Sequence, residues 1–420
     1  MPLGLYISVP FCRTKCSYCN FASGVFSQAV FKRYVERVCT DIEHAQQNVS
    51  LLGACFDPEV DSIYLGGGTP TILDATQLEH LFLTVSQNFR LRAGAEITVE
   101  CAPGTLTEPL IEALLGCGVN RVSLGVQSFV DRETRAVGRL HTRTTTLDDI
   151  SRLRSAGIEN LNLDLIAGLP HQTLESWQVS LAEVVSSGVP HASVYMLEVD
   201  EDSRLGRELM AGGTRYHAHF VPDDDLIADL YSLACETLEG AHLAQYEISN
   251  FARAGFESRH NLKYWTRQPY LGFGVDAHSM LPALSRRSVD SVLTLDPTPQ
   301  SECGEDLPGI MAVRFATPDS LEAYLAETAG SKSLVSPQAA LEESFFLGLR
   351  LNRGINLGAI RAEFGEQVVS EFSAILAEQI QAGLLHVEDG VLRLTPRGRL
   401  LSNEVFGHFV NTLEGTAGRS

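Results

Sequence analysis

Short runs of apolar residues, rich in β-branched and aromatic types, recur through the first two-thirds of the chain and predict strands. The six runs are Leu5–Val9, Ser62–Leu65, Glu96–Val99, Arg121–Val126, Asn160–Ile166 and Ala192–Leu197. Segments with helical spacing separate them. In the first interval one apolar face is formed by Phe31, Tyr34, Val35, Val38, Ile42 and Ala45. This alternation predicts an α/β fold with a parallel sheet, here a partial (β/α)6 barrel, whose site would lie at the carboxyl ends of the strands. A doubly wound sheet is the alternative that the pattern leaves open.

Two of the predicted helices begin with recognisable capping residues. Gln77 follows Asp74 by three residues, which is the spacing of a capping box. Thr107 is a suitable cap for the next helix, and Pro109 lies in its first turn, where a missing N–H costs little. The pattern therefore predicts helices after the second and the third strand.

The last part of the chain has a different order of elements. From about Pro337 the spacing is helical again. Leu384–Val387 and Val391–Leu394 then flank a turn at Asp389-Gly390, which predicts a β-hairpin, and Pro396 opens a final helix. Three helices, a hairpin and a helix predict a small winged-helix-like domain.

The chain is predicted to divide into four parts. Residues 1–280 form the partial barrel, 281–336 a connecting segment, 337–413 the winged-helix-like domain and 414–420 a tail. The connecting segment is assigned because Asp296–Pro299 and Ser301–Gly309 are rich in Pro, Asp, Glu, Gly and Ser. A length of 420 residues fits one large domain and one smaller domain.

The charge balance argues against binding to nucleic acid. The chain has 32 Lys or Arg and 52 Asp or Glu, a net charge of −20, whereas DNA binding needs a basic surface. Between residues 337 and 412 there are six Arg, no Lys and nine Asp or Glu, so the winged-helix-like domain carries −3. We therefore expect this domain to act as a lid or to dock a partner protein.

The chain is predicted to be cytoplasmic. It lacks an apolar run of about 18 residues, the length of a spanning helix, and its first residues lack the pattern of a secretory signal. Peripheral contact with a membrane stays open. Six of the nine cysteines are scattered, which argues against a secreted disulfide framework. The other three fall within eight residues and predict a metal site.

These three cysteines, Cys12, Cys16 and Cys19, have the spacing C-x3-C-x2-C in a predicted loop after the first strand. Thiolates are the ligands of iron–sulfur clusters, and three of them on a 4Fe–4S cluster leave one iron open. Zinc is the alternative, but it needs a fourth Cys or His, and Asn20 and Phe21 follow instead. The spacing is typical of radical SAM proteins, which combine such a cluster with S-adenosylmethionine (SAM).

The ends of the next two predicted strands carry residues suited to SAM. Gly66, Gly67 and Gly68 follow the second strand, and glycines let the backbone approach a ligand closely and expose its N–H and C=O groups. Glu100 ends the third strand and can accept hydrogen bonds from the ribose hydroxyls or the amino group of SAM. With the cysteine loop upstream, these residues indicate a SAM site.

Three further polar residues follow the later strands. Gln127 ends the fourth strand, Arg139 comes soon after, and Asp164 lies within the apolar run of the fifth strand. A carboxylate in such a run is costly unless it is paired. Either these residues line the ligand site, or Asp164 and Arg139 form a structural pair.

Several longer stretches resemble one family, that of oxygen-independent coproporphyrinogen III oxidase and the related heme chaperones of the HemW group. They lie within residues 3–280: YISVPFCRTKCSYCNF (Tyr6–Phe21), YLGGGTPT (Tyr64–Thr71), VSLGVQSF (Val122–Phe129), NLDLIAGLP (Asn162–Pro170), YEISNFA (Tyr246–Ala252) and HNLKYW (His260–Trp265). The C-terminal domain resembles the family's terminal domain more weakly. The resemblance implies a 4Fe–4S cluster and SAM as cofactors.

The resemblance also implies roles for particular residues. Positions that contact the cluster-bound SAM are matched by Tyr6, Tyr18, Gly67 and Glu100. Positions that surround a second SAM in the oxidase are matched by Gly68, Thr69, Gln127, Arg139 and Asp164. Three residues depart from the family pattern: Ser8, Ala102 and Asp276. The first two lie next to the cluster and SAM positions and bear on SAM affinity more than on cluster binding.

Two features favour the chaperones over the oxidase. Phe21 stands where the oxidase has a further cysteine, and the stretch from His260 to Trp265 is typical of the chaperones. In that group the histidine is implicated in heme binding; imidazole is a good axial ligand for heme iron, and Tyr264 and Trp265 can stack on a porphyrin. His278 is a second candidate ligand.

The sequence thus predicts a heme chaperone, which binds heme near His260 and passes it to an unidentified acceptor protein. This is binding and transfer rather than a clear catalytic function. Three alternatives stay open: an anaerobic coproporphyrinogen III oxidase, a radical SAM methyltransferase, and a structural module with a vestigial cluster. A homodimer also stays open.

Overall fold

A computed structural model describes residues 1–284 and 309–410 of the chain. The predicted tail and most of the loop predicted between residues 296 and 309 lie outside these residues. Within the described ranges, no helix is long and apolar enough to cross a membrane.

The six predicted strands are confirmed as a parallel sheet. They are β1 (Leu3–Val9), β2 (Glu59–Gly67), β3 (Arg90–Cys101), β4 (Arg121–Gln127), β5 (Asn160–Ala167) and β6 (His191–Met196). Each strand pairs in parallel with the next in chain order. A doubly wound sheet reverses its strand order at one point, so the continuous order identifies a partial (β/α)6 barrel.

Helices cover the outer face of this sheet. They are α1 (Gln28–Glu43), α2 (Ala45–Leu51), α3 (Ala75–Asn88), α4 (Glu108–Gly116), α5 (Asp131–Ala136), α6 (Arg143–Ser155), α7 (Leu174–Ser187), α8 (Arg204–Ala211), α9 (Asp224–Gly240) and α10 (Arg259–Trp265), with short 3-10 turns at Pro70–Ile72 and Ala218–Phe220. The apolar face predicted for α1 is buried. Most residues of β1 are buried because, in such a fold, parallel strands have helices on one face and side chains filling the other.

The predicted helix caps are present. Asp74 accepts a hydrogen bond from the backbone N–H of Gln77, and the Gln77 side chain bonds the N–H of Asp74 in return. The Thr107 side chain accepts from the N–H of Leu110 at the start of α4. These caps satisfy backbone donors that a helix start leaves unpaired, and they fix where each helix leaves its strand.

Short strands extend the sheet at both edges. On one side, β7 (Ala244–Gln245) and β8 (Asn250–Ala252) follow β6; on the other, β9 (Tyr270–Phe273), β10 (His278–Pro282), β11 (Ala312–Ala316) and β12 (Ser331–Val335) follow β1. Strand β9 is parallel to β1, and β10, β11 and β12 are antiparallel to their neighbours. Strands β11 and β12 lie in the predicted connecting segment, so part of that segment belongs to the sheet. The segment also contains a short helix, α11 (Leu321–Leu325).

The C-terminal part contains a second sheet and its own core. Its elements are α12 (Pro337–Gly348), β13 (Ile355–Asn356), α13 (Leu357–Phe364), α14 (Glu366–Ser370), α15 (Ser373–Gln381), β14 (Leu385–Glu388), β15 (Val391–Leu394), α16 (Pro396–Leu400) and α17 (Ser402–Gly407). Asp389 and Gly390 both have positive φ, as the predicted two-residue hairpin turn requires. Three stacked rings, Phe345, Phe372 and Phe409, fill the centre of this core. The architecture is winged-helix-like, whereas the four domain boundaries stay a prediction.

Buried ion pairs fix the C-terminal part to the barrel. The Glu343 carboxylate of α12 lies 3.0 Å from Arg267 Nε and 2.8 Å from Arg314 Nη1. Arg350 lies 3.6 Å from the buried carboxylate of Glu247, and its guanidinium stacks 4.2 Å above the Trp265 ring. Helix α12 is thus joined to β11 and to the residue stretch just after α10. Arg350, just beyond the end of α12, joins the C-terminal part to α10 and to the loop before β8.

Candidate functional site

The three predicted cluster cysteines lie in the loop between β1 and α1. Backbone hydrogen bonds shape this loop: the Cys12 N–H donates to Gly24 O at 2.9 Å, and the Gly24 N–H donates to Pro10 O at 2.9 Å. Cys12, Cys16 and Cys19 all line one cavity of about 550 Å³ at the carboxyl ends of the strands. The structure therefore brings the three thiols together where the fold was predicted to carry its site.

Neighbouring side chains are directed at the sulfur atoms. Thr69 Oγ1 lies 3.9 Å from Cys12 Sγ, and Arg139 Nη1 lies 3.7 Å from Cys16 Sγ. Burial raises the pKa of the Cys12 thiol, so a thiolate there needs positive charge nearby. Donors aimed at sulfur are also the contacts that tune an iron–sulfur cluster.

The donor set fits a cluster better than a single metal ion. Within residues 1–284 and 309–410, no three side chains of His, Cys, Asp or Glu are grouped closely enough to hold one ion. A cubane cluster takes each cysteine on a different iron, so its ligands stand farther apart than the ligands of one zinc ion. Three thiols along one cavity wall match that arrangement.

The glycines after β2 bring two backbones together. The N–H groups of Gly68 and Thr69 donate to Val9 O and Phe11 O, both at 2.8 Å. A Cβ at Gly68 would lie 2.7 Å from Phe11 O and 2.8 Å from Val9 O, so no larger residue fits there. Gly67 has φ of 102°, a conformation that favours glycine. This packing fixes the start of the cluster loop against the cavity wall.

Glu100 occupies the end of β3, as predicted, and its carboxylate faces the cavity. It accepts hydrogen bonds from Tyr64 OH at 2.9 Å and from the Gly67 N–H at 3.2 Å. Burial, with a contribution from Asp164, raises the pKa of Glu100 to about 7. A bound cation such as an ammonium group would favour the ionised carboxylate, which fits the amino group of SAM.

Asp164 and Arg139 share the cavity but do not form the direct pair considered from the sequence. Asp164 accepts hydrogen bonds from Ser123 Oγ at 2.9 Å and from the Asn162 amide at 2.8 Å. Arg139 donates to Gly125 O and to Cys16 Sγ, while its Nε is buried without a partner. Burial raises the pKa of Asp164. Both side chains thus keep hydrogen-bonding capacity for a ligand.

Eight of the nine residues predicted to bind SAM line this single cavity: Tyr18, Gly67, Gly68, Thr69, Glu100, Gln127, Arg139 and Asp164. Tyr6, the ninth, lies on the other side of Gly67 and lines a neighbouring cleft. Sequence reasoning missed Tyr64, Ser123 and Tyr195, which also line the cavity. Tyr64 and Ser123 fall within the family-like stretches, and that resemblance was the available signal for them. Tyr195 is the penultimate residue of β6, so its position near the end of a strand was the available signal.

The segment after β6 packs over the cluster loop. The Leu205 N–H donates to Ser17 O at 2.8 Å, and Arg204 Nη1 donates to Lys15 O at 3.1 Å. The Asn20 amide donates to Asp200 at 2.9 Å. Residues 196–200 line the cavity as well. Residues 196–200 therefore form one wall of the site, and the start of α8 holds the cluster loop in place.

His260, the predicted heme ligand, lies in α10 and is 1% exposed. Its Nδ1 is hydrogen-bonded to Ser62 Oγ at 3.0 Å and its Nε2 to Tyr264 OH at 2.8 Å. The imidazole also stacks on the Tyr64 ring at 5.3 Å. Burial, with nearby Lys263 and Arg121, lowers the pKa of His260 to about 3. The ring is neutral, and both nitrogen atoms have partners.

A second concave site lies beside the cluster loop, on the far side of Gly67. This feature, the aromatic cleft, has a volume of about 300 Å³. Its lining residues are Tyr6, Ser8, Phe21, Ala22, Gly67, Tyr264, Tyr270, Val275, Asp276 and His278. Two of the three departures from the family pattern, Ser8 and Asp276, are among them.

The fold and the cysteine site define the chain as a radical SAM protein, and residues 6–184 match the Radical SAM superfamily. Residues 335–401 match the HemN C-terminal domain. The heme chaperone HemW of Bacillus subtilis is 32% identical, over 97% of this chain and 99% of its own. The heme chaperone HemW of Mycobacterium tuberculosis is 31% identical, over 99% and 95%. The chain belongs to the HemW family.

The solved structure of coproporphyrinogen III oxidase (HemN) from Escherichia coli has the same fold. It superposes with a TM-score of 0.79, covering 98% of this chain and 91% of the oxidase. The two sequences are 22% identical. The likeness therefore extends through both parts of the chain, barrel and winged-helix-like part alike.

Proposed function

We propose that this chain is a cytoplasmic heme chaperone, which binds heme and transfers it to an acceptor protein. The observation that carries the proposal is the similarity to the heme chaperone HemW of Bacillus subtilis over 97% of this chain. The aromatic cleft supports it, because apolar and tyrosine side chains beside a histidine suit a porphyrin.

We also propose that Cys12, Cys16 and Cys19 hold a 4Fe–4S cluster and that SAM binds exchangeably in the 550 Å³ cavity. When bound, the cluster supplies an iron with an open position and an electron for reduction. Glu100 would accept hydrogen bonds from the SAM amino group. The backbone of Gly67 and Gly68 would lie against the ligand, since both residues line the cavity.

Arg139 and Asp164 would bind the remaining polar groups of SAM. Arg139 has an unpartnered buried Nε, and Asp164 is held in place by Ser123 and Asn162. An orphaned buried donor is costly, so a ligand atom at that position would relieve the cost. Gln127, with φ of 68°, lines the same part of the cavity.

The proposal is tested by titrating hemin into cluster-reconstituted protein under anaerobic conditions and following the Soret band. Saturable binding of one heme for each chain is expected. Transfer is then tested by adding an excess of apo-myoglobin, a general heme acceptor, and recording the spectrum of the product. Absence of saturable hemin binding by the wild-type protein would overturn the proposal.

A second candidate function is the anaerobic oxidation of coproporphyrinogen III. The specific observation in its favour is that the SAM cavity extends past the cluster loop to Gln127, Arg139 and Asp164. Its test is incubation with coproporphyrinogen III, SAM and dithionite, followed by analysis of the porphyrins. Protoporphyrin in the product would establish the oxidase, and its absence together with tight hemin binding would favour the chaperone.

A further inference from the structure

We infer that heme binds in the aromatic cleft with His278 as its axial ligand, and that His260 acts as a positioning residue for the cleft wall. This inference rests on the proposed function and gives it a site. It differs from the sequence-based expectation, which put His260 first and His278 second as the ligand.

His278 has the exposure that an incoming ligand requires. It opens strand β10, where the burial pattern places it on the solvent side, and its side chain is 68% exposed. Its Nε2 lies 3.6 Å from Asp276 Oδ1. A carboxylate beside the second nitrogen of a metal-ligating histidine commonly orients the ring and raises its basicity. Asp276 is suited to that part at Nε2, which leaves Nδ1 for the iron.

The cleft offers aromatic surface next to this histidine. Tyr264 and Tyr270 meet edge to face, with centroids 4.6 Å apart, and both line the cleft with Tyr6. Phe21 stands at the side nearest the cluster loop and is 64% exposed. A porphyrin face could therefore pack on apolar and aromatic groups while its iron meets an imidazole.

His260 lacks the free nitrogen atom that ligation requires. It is 1% exposed, and binding iron would mean breaking its hydrogen bond to Ser62 or to Tyr264. Its imidazole is also held between the Tyr64 and Tyr264 rings, at 5.3 and 5.2 Å. Because Nε2 bonds the Tyr264 hydroxyl, His260 instead fixes the position of a ring that lines the cleft.

The cleft is large enough for only part of a heme. At about 300 Å³ it lies at the lower end of the range for ligand pockets. It is smaller than a whole porphyrin, so one edge of the heme would remain outside. An acceptor protein could reach that edge before the axial bond breaks.

The test is an anaerobic hemin titration of reconstituted protein carrying His278→Ala, beside His80→Ala as a matched control. His80 is an exposed histidine on α3, outside the cleft. We expect His278→Ala to bind hemin at least roughly 10-fold more weakly, because losing even a residue that supports a metal ligand costs about 10–100-fold in affinity. Added imidazole should restore the histidine-ligated spectrum of this variant, and His80→Ala should titrate like the wild type.

His260→Gln separates positioning from ligation. We expect weaker binding in this variant with the wild-type ligation spectrum retained, since His278 remains. Equal affinity and equal spectra for His278→Ala and the wild type would overturn the inference while leaving the chaperone function standing. Loss of the histidine-ligated spectrum in His260→Gln, with rescue by imidazole, would overturn it in favour of His260. Failure of the wild-type protein to bind hemin would overturn the function itself.

Discussion

Arg139 illustrates how single residues make this site suitable for an anionic cofactor. Its guanidinium donates to Cys16 Sγ and Gly125 O and is withdrawn from water. A buried cation is costly unless negative partners are close. Asp164 is one such partner, and the thiolates of a cluster would add more negative charge. The positive charge of Arg139 therefore acts both on Cys16 in the cluster loop and on Asp164 in the cavity.

The first prediction at this scale concerns the cluster ligands. Cys12→Ser replaces a thiolate ligand by a hydroxyl, which binds iron poorly, so the variant should lose the visible absorbance of the cluster after anaerobic reconstitution. Cys117→Ser is the matched control, since Cys117 ends α4 outside the cavity. Full iron content and unchanged absorbance in Cys12→Ser would contradict the ligand assignment.

The second prediction concerns acid sensitivity. The pKa of His260 is lowered to about 3 in the folded protein, below its ordinary value of 6.5. As the pH falls, His260 therefore takes up a proton in the unfolded chain before it does so in the folded protein. The contribution of the neutral, buried ring to the free energy of unfolding is complete above pH 6.5 and is lost as the pH falls toward 3. Between pH 7.5 and pH 5 this one group should remove about 2 kcal/mol from the free energy of unfolding.

Urea denaturation followed by circular dichroism at these two pH values measures the effect. His260→Gln removes the titrating ring, so its free energy of unfolding should change less between pH 7.5 and pH 5 than that of the wild type. Some change remains, because burial also lowers the pKa values of His141 and His191. An identical pH dependence in both proteins would show that His260 does not titrate as described.

At the residue scale, local patterns were predictable and long-range partners were not. The spacing of Cys12, Cys16 and Cys19 lies within eight residues, so sequence alone reveals it. The burial of His260 depends on Ser62, which is 198 positions away. No periodicity in the chain records that contact, so the sequence does not show that both ring nitrogen atoms of His260 are hydrogen-bonded, and its role as heme ligand stays a prediction.

At the scale of elements, the turn after β2 is the junction on which the site depends. Gly68 packs so closely on Val9 and Phe11 that Gly68→Ala must displace the backbone at the start of the cluster loop. We expect a loss of about 1–3 kcal/mol in stability, as for other overpacked sites. The reconstituted protein should also contain less iron.

Gly116→Ala is the matched control for this prediction. It lies at the end of α4 with open space around it, so the added methyl group should be neutral or slightly stabilising. Thermal denaturation and iron analysis of the two variants provide the comparison. A Gly68→Ala protein as stable and as rich in iron as Gly116→Ala would contradict the packing argument.

The six strands and the capped helices were predictable because their signals are local and strong. Strands β11 and β12 were not predicted, and their burial explains why. Four of the five residues of β12 are exposed, and β11 is buried only at its first two positions. Strands with so few buried residues lack the apolar pattern that predicts a strand. They are held in the sheet by their neighbours, β11 by β10 and β12 by β11.

On the scale of the whole molecule, Glu343 connects the two parts of the chain. Its carboxylate is 6% exposed and lies between Arg267 and Arg314. Glu343→Gln keeps the shape but leaves two guanidinium groups without their anion, which should cost about 3 kcal/mol. Urea denaturation should report this loss, and trypsin should cut the variant faster near the junction.

The control for this substitution is Glu366→Gln. Glu366 pairs with Arg361 on the surface, where both side chains are well exposed. Surface pairs contribute little, so stability and trypsin cleavage should hardly change. Equal stability of the two variants would mean that the Glu343 pairs do not hold the C-terminal part to the barrel.

At the scale of the whole molecule, the proposed cluster and heme sites are neighbours that share Phe21 and Gly67 as lining residues. We expect one chain to carry both groups at the same time, because the cysteines line only the cavity and His278 lines only the aromatic cleft. Native mass spectrometry of anaerobically reconstituted protein, mixed with hemin and SAM, tests this most directly. The predicted result is a species whose mass includes one 4Fe–4S cluster and one heme for each chain. Heme found only on chains that lack the cluster, or on none, would contradict simultaneous binding.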